Sequence, residues 1–252
     1  PSFRVTIPEG NRTDLKFLEP EFRLETELPG PGGMPRRINL KTRPWCTLSG
    51  SAVRQDPPPK IDGDLGEWTG PGLTISHPVQ VISGKQSWSG PADLSANAFF
   101  GVDSDNLYIA VSVTDDDVQK ALENNVAADQ VCVLIGMNTS EETANKGISP
   151  LQICVTPAGL FEISGTISDP DATIVASAVS ETDQGGYTVE VSIPIELLDK
   201  TGFRQGFIRA DINLIDADTE DELPTKATLS GRGIDPTLFA RIEWEVDNEL
   251  QK

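Results

Sequence analysis

Positive charge is scarce in this 252-residue chain: 20 Lys and Arg stand against 39 Asp and Glu, a formal net charge of −19. Such a surface repels a phosphate backbone, so nucleic acid is not an expected partner, and anionic membrane surfaces are disfavoured for the same reason. Long apolar runs are also missing. No segment approaches the roughly 20 consecutive apolar residues of a membrane helix, so no membrane insertion is expected. Histidine occurs once, as His77, and methionine only as Met34 and Met137. Met34 falls in a Gly/Pro-rich stretch and Met137 closes an apolar run, so a His–Met haem site is not expected. No Ser-His-Asp, Cys-His or phosphate-cradling arrangement can be assembled. Carboxylate pairs of the kind that hydrolyse glycosides will arise by chance among 39 acidic residues, and catalysis is not expected from them. The three cysteines, Cys46, Cys132 and Cys154, include no C-x-x-C, which removes zinc. Cys132 and Cys154 both sit in strand-like runs that could be neighbours. Buried free thiols are expected there, with a disulfide as the alternative.

What is present is punctuation. Gly 22 and Pro 19 break the chain into short stretches, which suits strands joined by turns and fits long helices poorly. The clearest strand signal is 107–113, where Leu107, Ile109, Val111 and Val113 alternate with Tyr108, Ala110 and Ser112. It is entered through Asp103-Ser104-Asp105-Asn106 and preceded by a second strand over 97–102, which together predict a hairpin. Further strands are predicted at 73–76, 79–82, 130–137, 151–155, 160–164, 173–179, 187–193, 207–215 and 240–246. In 187–193 the alternation places Tyr187, Val189, Val191 and Ile193 inward and Thr188, Glu190 and Ser192 outward. The one predicted helix covers 118–125, with a single helical turn at 195–198. This pattern predicts an all-β fold: a two-sheet antiparallel β-sandwich of immunoglobulin-like or jelly-roll type. Residues 1–55 differ in texture, with short alternating runs at 3–7, 22–26 and 38–40, and read as an N-terminal extension before a sandwich over 56–252. Pro1, without an initiating Met or a leader, reads as the start of a processed or excised piece.

Carboxylates gather at predicted turns. Asp216-x-Asp218-x-x-Asp221 follows one strand, Asp115 to Asp117 ends another, and Asp62 and Asp64 share a third loop. Calcium takes six to eight hard oxygens, which such loops can supply; equally, Asp is a good turn residue in any acidic protein. The expected calcium ligands are Asp115, Asp117, Asp216, Asp218 and Asp62. Trp68 and Trp244 fall on inward phases and are expected in the core. Trp88, in the loop GKQSWSGP, is the tryptophan placed to act either as a solvent-facing platform or as a loop anchor.

A Pro-rich lead (57–59) runs into KIDGDLGEW (60–68), followed by DNLYIAVSVTDDDV, DQVCVLIG, GGYTVEVSIPIELL, IRADINLIDADTED and the closing Phe-Ala-x-Ile-x-Trp of 239–244. In this order the landmarks resemble family 9 carbohydrate-binding modules and their relatives, over about residues 57–246. The resemblance implies a β-sandwich, extracellular or cell-surface use, structural calcium, and a sugar site formed by a pair of tryptophans. It also implies a non-catalytic module joined to other domains of a parent protein. One departure stands out: the stretch 223–237, LPTKATLSGRGIDPT, lacks the aromatic residue that the family's sugar clamp takes from this loop. Trp88 is left as the expected carbohydrate-binding residue, with a polysaccharide or oligosaccharide as partner. The alternative is a structural or protein-interaction sandwich that has lost sugar binding.

Overall fold

In the computed structural model, residues 22–29, 35–42, 48–120, 128–136, 150–165, 176–182, 185–198, 206–218, 223–231 and 239–245 are described. The strand expected at 3–7, Asp221 and the helix expected beyond Lys120 lie outside these residues; 118–120 themselves are not helical. The chain divides into two compact units, Pro1–Leu48 and Ser49–Lys252. In the first, β1 (Phe22–Pro29) and β2 (Pro35–Thr42) form an antiparallel ribbon in register from Phe22↔Thr42 to Pro29↔Pro35.

The second unit holds two sheets. One contains β3 (Ser49–Ser51), β6 (Val81–Ser83), β9 (Gln130–Gly136), β10 (Leu151–Val155), β11 (Phe161–Ser164), β14 (Phe207–Asp216), β15 (Thr225–Thr228) and β16 (Ala240–Glu243). The other contains β4 (Val53–Arg54), β5 (Leu73–Ile75), β7 (Leu94–Val102), β8 (Asn106–Asp115), β12 (Ala176–Glu181) and β13 (Tyr187–Pro194). Among the described residues every pairing is antiparallel except β3 with β16 and β4 with β7. Those two parallel pairs come from residues 49–54, which sequence texture groups with the N-terminal extension but which the sheets of the sandwich incorporate. Among the described residues no α-helix occurs, only 3₁₀ turns at Leu65–Glu67 and Ile195–Leu198. No helix among them is long and apolar enough to cross a membrane.

The core follows from the alternation. Leu107, Ile109 and Val111 in β8, Val189, Val191 and Ile193 in β13, and Ile208, Ala210, Ile212 and Leu214 in β14 are all buried. Parity alone does not describe the outer face of the second sheet, however. Thr188, Glu190 and Ser192, expected to face solvent, are buried as well, Glu190 completely. The KIDGDLGEW segment lies over that face and covers it. Gly63 makes the close approach possible: at φ 86° its would-be Cβ stands 2.8 Å from Ser180 Cβ, so no side chain fits.

Cys132 and Cys154 are directly opposite one another on β9 and β10 and are joined as a disulfide. The free thiols expected from the sequence are thereby corrected: the β9–β10 register faces the two sulfurs together. The tryptophans are corrected too. Trp68 and Trp244 are half-buried at the margins of the sandwich and not enclosed in its core.

Candidate functional site

Antiparallel pairing brings the ends of distant strands to one rim. Leu94, which opens β7, is opposite Asp115, which closes β8. Gln130, which opens β9, is opposite Ile215 near the end of β14. Carboxylates at these ends therefore converge: Asp93 just before β7, Asp115 at the end of β8, Asp129 just before β9, and Asp216 and Asp218 at and after the end of β14. Carboxylate oxygens of Asp115, Asp129 and Asp216 lie within 4.8 Å of one another, as do those of Asp93, Asp216 and Asp218, and those of Asp115, Asp116 and Asp218.

The backbone holds this cluster in place. Asp129 Oδ1 accepts the Ala217 N–H at 2.9 Å and its Oδ2 accepts the Gln119 N–H, which ties the loops after β14 and β8 to the start of β9. Asp115 Oδ1 accepts the Asp117 N–H at 2.9 Å. Asp93 accepts the Ser89 N–H. Trp88 sits half-buried in the same loop, and its indole N–H donates to the Leu94 carbonyl at 3.0 Å, so it anchors the segment that carries Asp93.

The electrostatics are unfavourable without a counter-charge. Asp93, Asp115, Asp129 and Asp216 are at most 5% exposed. Burial and then the neighbouring Asp129 push the Asp115 carboxyl up to about 7. Burial and the adjacent Asp218 push Asp216 up to about 9. Asp129 and Asp218 are raised as well, burial being the largest cause in both. Asp115 Oδ2, Asp216 Oδ1 and Asp218 Oδ1 are buried without a hydrogen-bond partner. Buried polar atoms are seldom left unsatisfied, and a cluster of carboxylates with several orphaned oxygens is the donor set a hard divalent cation takes. The residues fit calcium. When bound, the ion would supply the positive charge that lets these carboxylates stay ionised out of water.

The sequence-predicted ligands divide. Asp115, Asp216 and Asp218 meet in the cluster. Asp117 is exposed beside it, contributing its N–H to Asp115 and its negative charge to the field at Asp218. Asp62 is not brought there: it is an exposed turn residue whose Oδ1 accepts the Asp64 N–H and whose own N–H donates to Glu190. Asp129 and Asp93 were missed. Their signal was an acidic residue immediately before a strand, which in an antiparallel sheet shares its rim with the acid that closes the neighbouring strand.

The family model described as carbohydrate family 9 binding domain-like matches residues 61–243. No curated protein matches the chain significantly. Among solved structures it is similar to a family 9 carbohydrate-binding module from Caldicellulosiruptor kristjanssonii in complex with cellotriose. The TM-score is 0.58 at 18% identity, covering 79% of this chain and 95% of that one. It is also similar to a module from the same organism in complex with glucose, with TM-score 0.52 at 17% identity, covering 81% and 96%.

Proposed function

Because the chain belongs to the carbohydrate family 9 binding domain-like family, we propose that it is a non-catalytic module that holds an oligosaccharide or polysaccharide for a larger extracellular or cell-surface protein. The family match over 61–243, from the KIDG segment to the last strand of the sandwich, carries this reading. The similar solved modules hold cellotriose and glucose, so a β-linked glucan is the first ligand to try. The Cys132–Cys154 disulfide accords with an oxidising, extracytoplasmic setting. Calcium in the carboxylate rim serves as a structural ion, supported by the orphaned buried oxygens of Asp115, Asp216 and Asp218.

Affinity electrophoresis through gels containing soluble cellulose derivatives, xylan or mannan tests the reading, with calorimetry against cellotriose. Retardation by at least one polysaccharide, with no release of reducing sugar, is the expected result. Absence of retardation by all of them would favour the second reading, a structural or protein-interaction sandwich. The aromatic-free stretch 223–237 is the observation that keeps that reading in view.

A further inference from the structure

Three of the five large apolar side chains exposed among the described residues gather along one margin of the sandwich: Val79, Ile82 and Leu223, the last 74% exposed. That margin is β6, which ends the strand order β11-β10-β9-β14-β15-β6 and pairs only with β15 among the described residues. Ser83 stands opposite Lys226 and Val81 opposite Ala227, so Ile82 is the extra residue of a β-bulge. A bulge re-aims the side chains around it. Here Val81 is buried and Ile82 is left 41% exposed.

Both ends of this stripe rest on fixed backbone. Gln80 is buried; its Oε1 accepts the N–H groups of Ser76 and His77, each at 3.0 Å. Its amide donates to the Thr74 carbonyl at 3.1 Å and the Leu229 carbonyl at 3.0 Å. The turn that presents Val79 is thereby pinned to β5 on one side and to the end of β15 on the other. At the opposite end Gly84 lies against the segment that carries Leu223: at φ 68° its would-be Cβ stands 2.7 Å from Thr225 Cα. Order already present in the free protein lowers the entropy cost of docking.

Charge decides what fits. Lys85 and Lys226 are both exposed at the Leu223 end of the stripe, and neither pairs with a carboxylate among the described residues, in a chain of net charge −19. Asp216, opposite Thr225, is 3% exposed and belongs to the carboxylate rim, so it does not neutralise them. We propose that this margin is a protein-docking surface whose partner is a polypeptide segment bearing carboxylates beside aliphatic side chains, the aliphatic groups against Val79, Ile82 and Leu223 and the carboxylates on Lys85 and Lys226. Complementary charge of this kind selects the partner, and the apolar anchors hold it. The bulge interrupts the ladder, so contact is through side chains and not through an added strand. An anionic bilayer is disfavoured, since two lysines contribute about 1 kcal/mol each near such a surface against the repulsion of the whole chain. A second copy is disfavoured too: a margin meeting itself about a two-fold axis brings lysines to lysines. This surface is independent of the carbohydrate-binding reading, which stands whether or not a partner docks here.

Fluorescence anisotropy of a labelled, end-blocked hexapeptide, with Leu-Val between two Glu-Asp pairs, tests the proposal on the full chain at low ionic strength, where exposed charges are least screened. The comparators are the same peptide with lysine in place of its acids, and the variants Ile82→Asp and Lys85→Glu/Lys226→Glu. The double variant changes only exposed side chains, so it decides the matter if Ile82→Asp proves unstable in a thermal melt. Expected is saturable wild-type binding of the acidic peptide, which each variant weakens by about fivefold or more; the basic peptide should show no loss in the double variant. No saturable binding of the acidic peptide by wild type, or equal binding by the double variant, would overturn the proposal. Co-sedimentation with phosphatidylserine vesicles that is lost in the same variants would overturn it in favour of a membrane. Dimerisation in sedimentation velocity, lost in the same variants, would overturn it in favour of a second copy.

Discussion

Trp68 donates its indole N–H to Glu190 Oε1 at 2.6 Å, across 122 residues of sequence. The same carboxylate takes the N–H groups of Asp62 at 2.9 Å and Gly63 at 2.6 Å through Oε2. Glu190 is fully buried, and burial raises its pKa despite these three donors. The bonds fasten the KIDGDLGEW segment to the outer face of β13.

This clasp is expected to contribute measurably to stability. Trp68→Phe keeps most of the ring and removes the donor, and should cost about 1–3 kcal/mol, the range for an unmatched buried polar group. Glu190→Ala should cost at least as much, because three donors lose their acceptor together. Denaturant titrations of both single variants and the double variant would measure the coupling; additive losses would show that the two side chains act independently.

Calcium should stabilise the protein through the rim carboxylates. At a free concentration one hundred times its dissociation constant, a ligand specific for the folded state adds about 2.7 kcal/mol. A thermal melt should therefore rise with calcium and fall with chelator. Asp129→Asn and Asp216→Asn should abolish most of that difference, and Trp88→Ala should reduce it by loosening the loop that carries Asp93. A melting temperature indifferent to calcium and chelator would exclude the ion.

Asp211 offers a pH prediction independent of the metal. It is buried in β14, accepting both the N–H and the hydroxyl of Ser230, and burial pushes its carboxyl up to about 6. The folded state therefore holds this proton more tightly than the unfolded state, whose carboxyl titrates near 3.9. The stabilisation is fully present below about pH 4 and is lost as pH rises to about 6, on the order of 3 kcal/mol in all. Asp211→Asn should flatten stability across that window when calcium is held saturating. An unchanged pH profile would refute the assignment.

Reduction of the Cys132–Cys154 bridge should lower stability. The cysteines are 22 residues apart, and a cross-link closing a loop of that size contributes about 3 kcal/mol in the chain-entropy picture. The double variant Cys132→Ala/Cys154→Ala should melt lower than wild type by a similar margin. Its melting temperature should be indifferent to reductant, whereas that of wild type should fall when the bridge is reduced.

Much of the sandwich was legible in the primary structure because strand signals are local. The alternation of 107–113 and 187–193, and the turn residues 103–106, specify β8, β13 and the β7–β8 hairpin without reference to anything distant. Short strands were harder. β3, β4 and β15 carry two to four residues each, too few for a period to register, and they exist because a neighbouring strand offers them an edge.

The amino-acid order by itself determined the strand periods, the acidic turns, and the succession of landmarks that places the chain in its family. Only the tertiary structure decided which carboxylates meet, that Glu190 is covered, and that Cys132 faces Cys154. The physical reason is range. Side-chain alternation and turn chemistry are settled within a few residues, whereas burial and encounter depend on strand register and on the segment laid over each sheet face, and both are fixed by contacts between residues far apart in sequence, as in the pairing of Ser49 with Arg241.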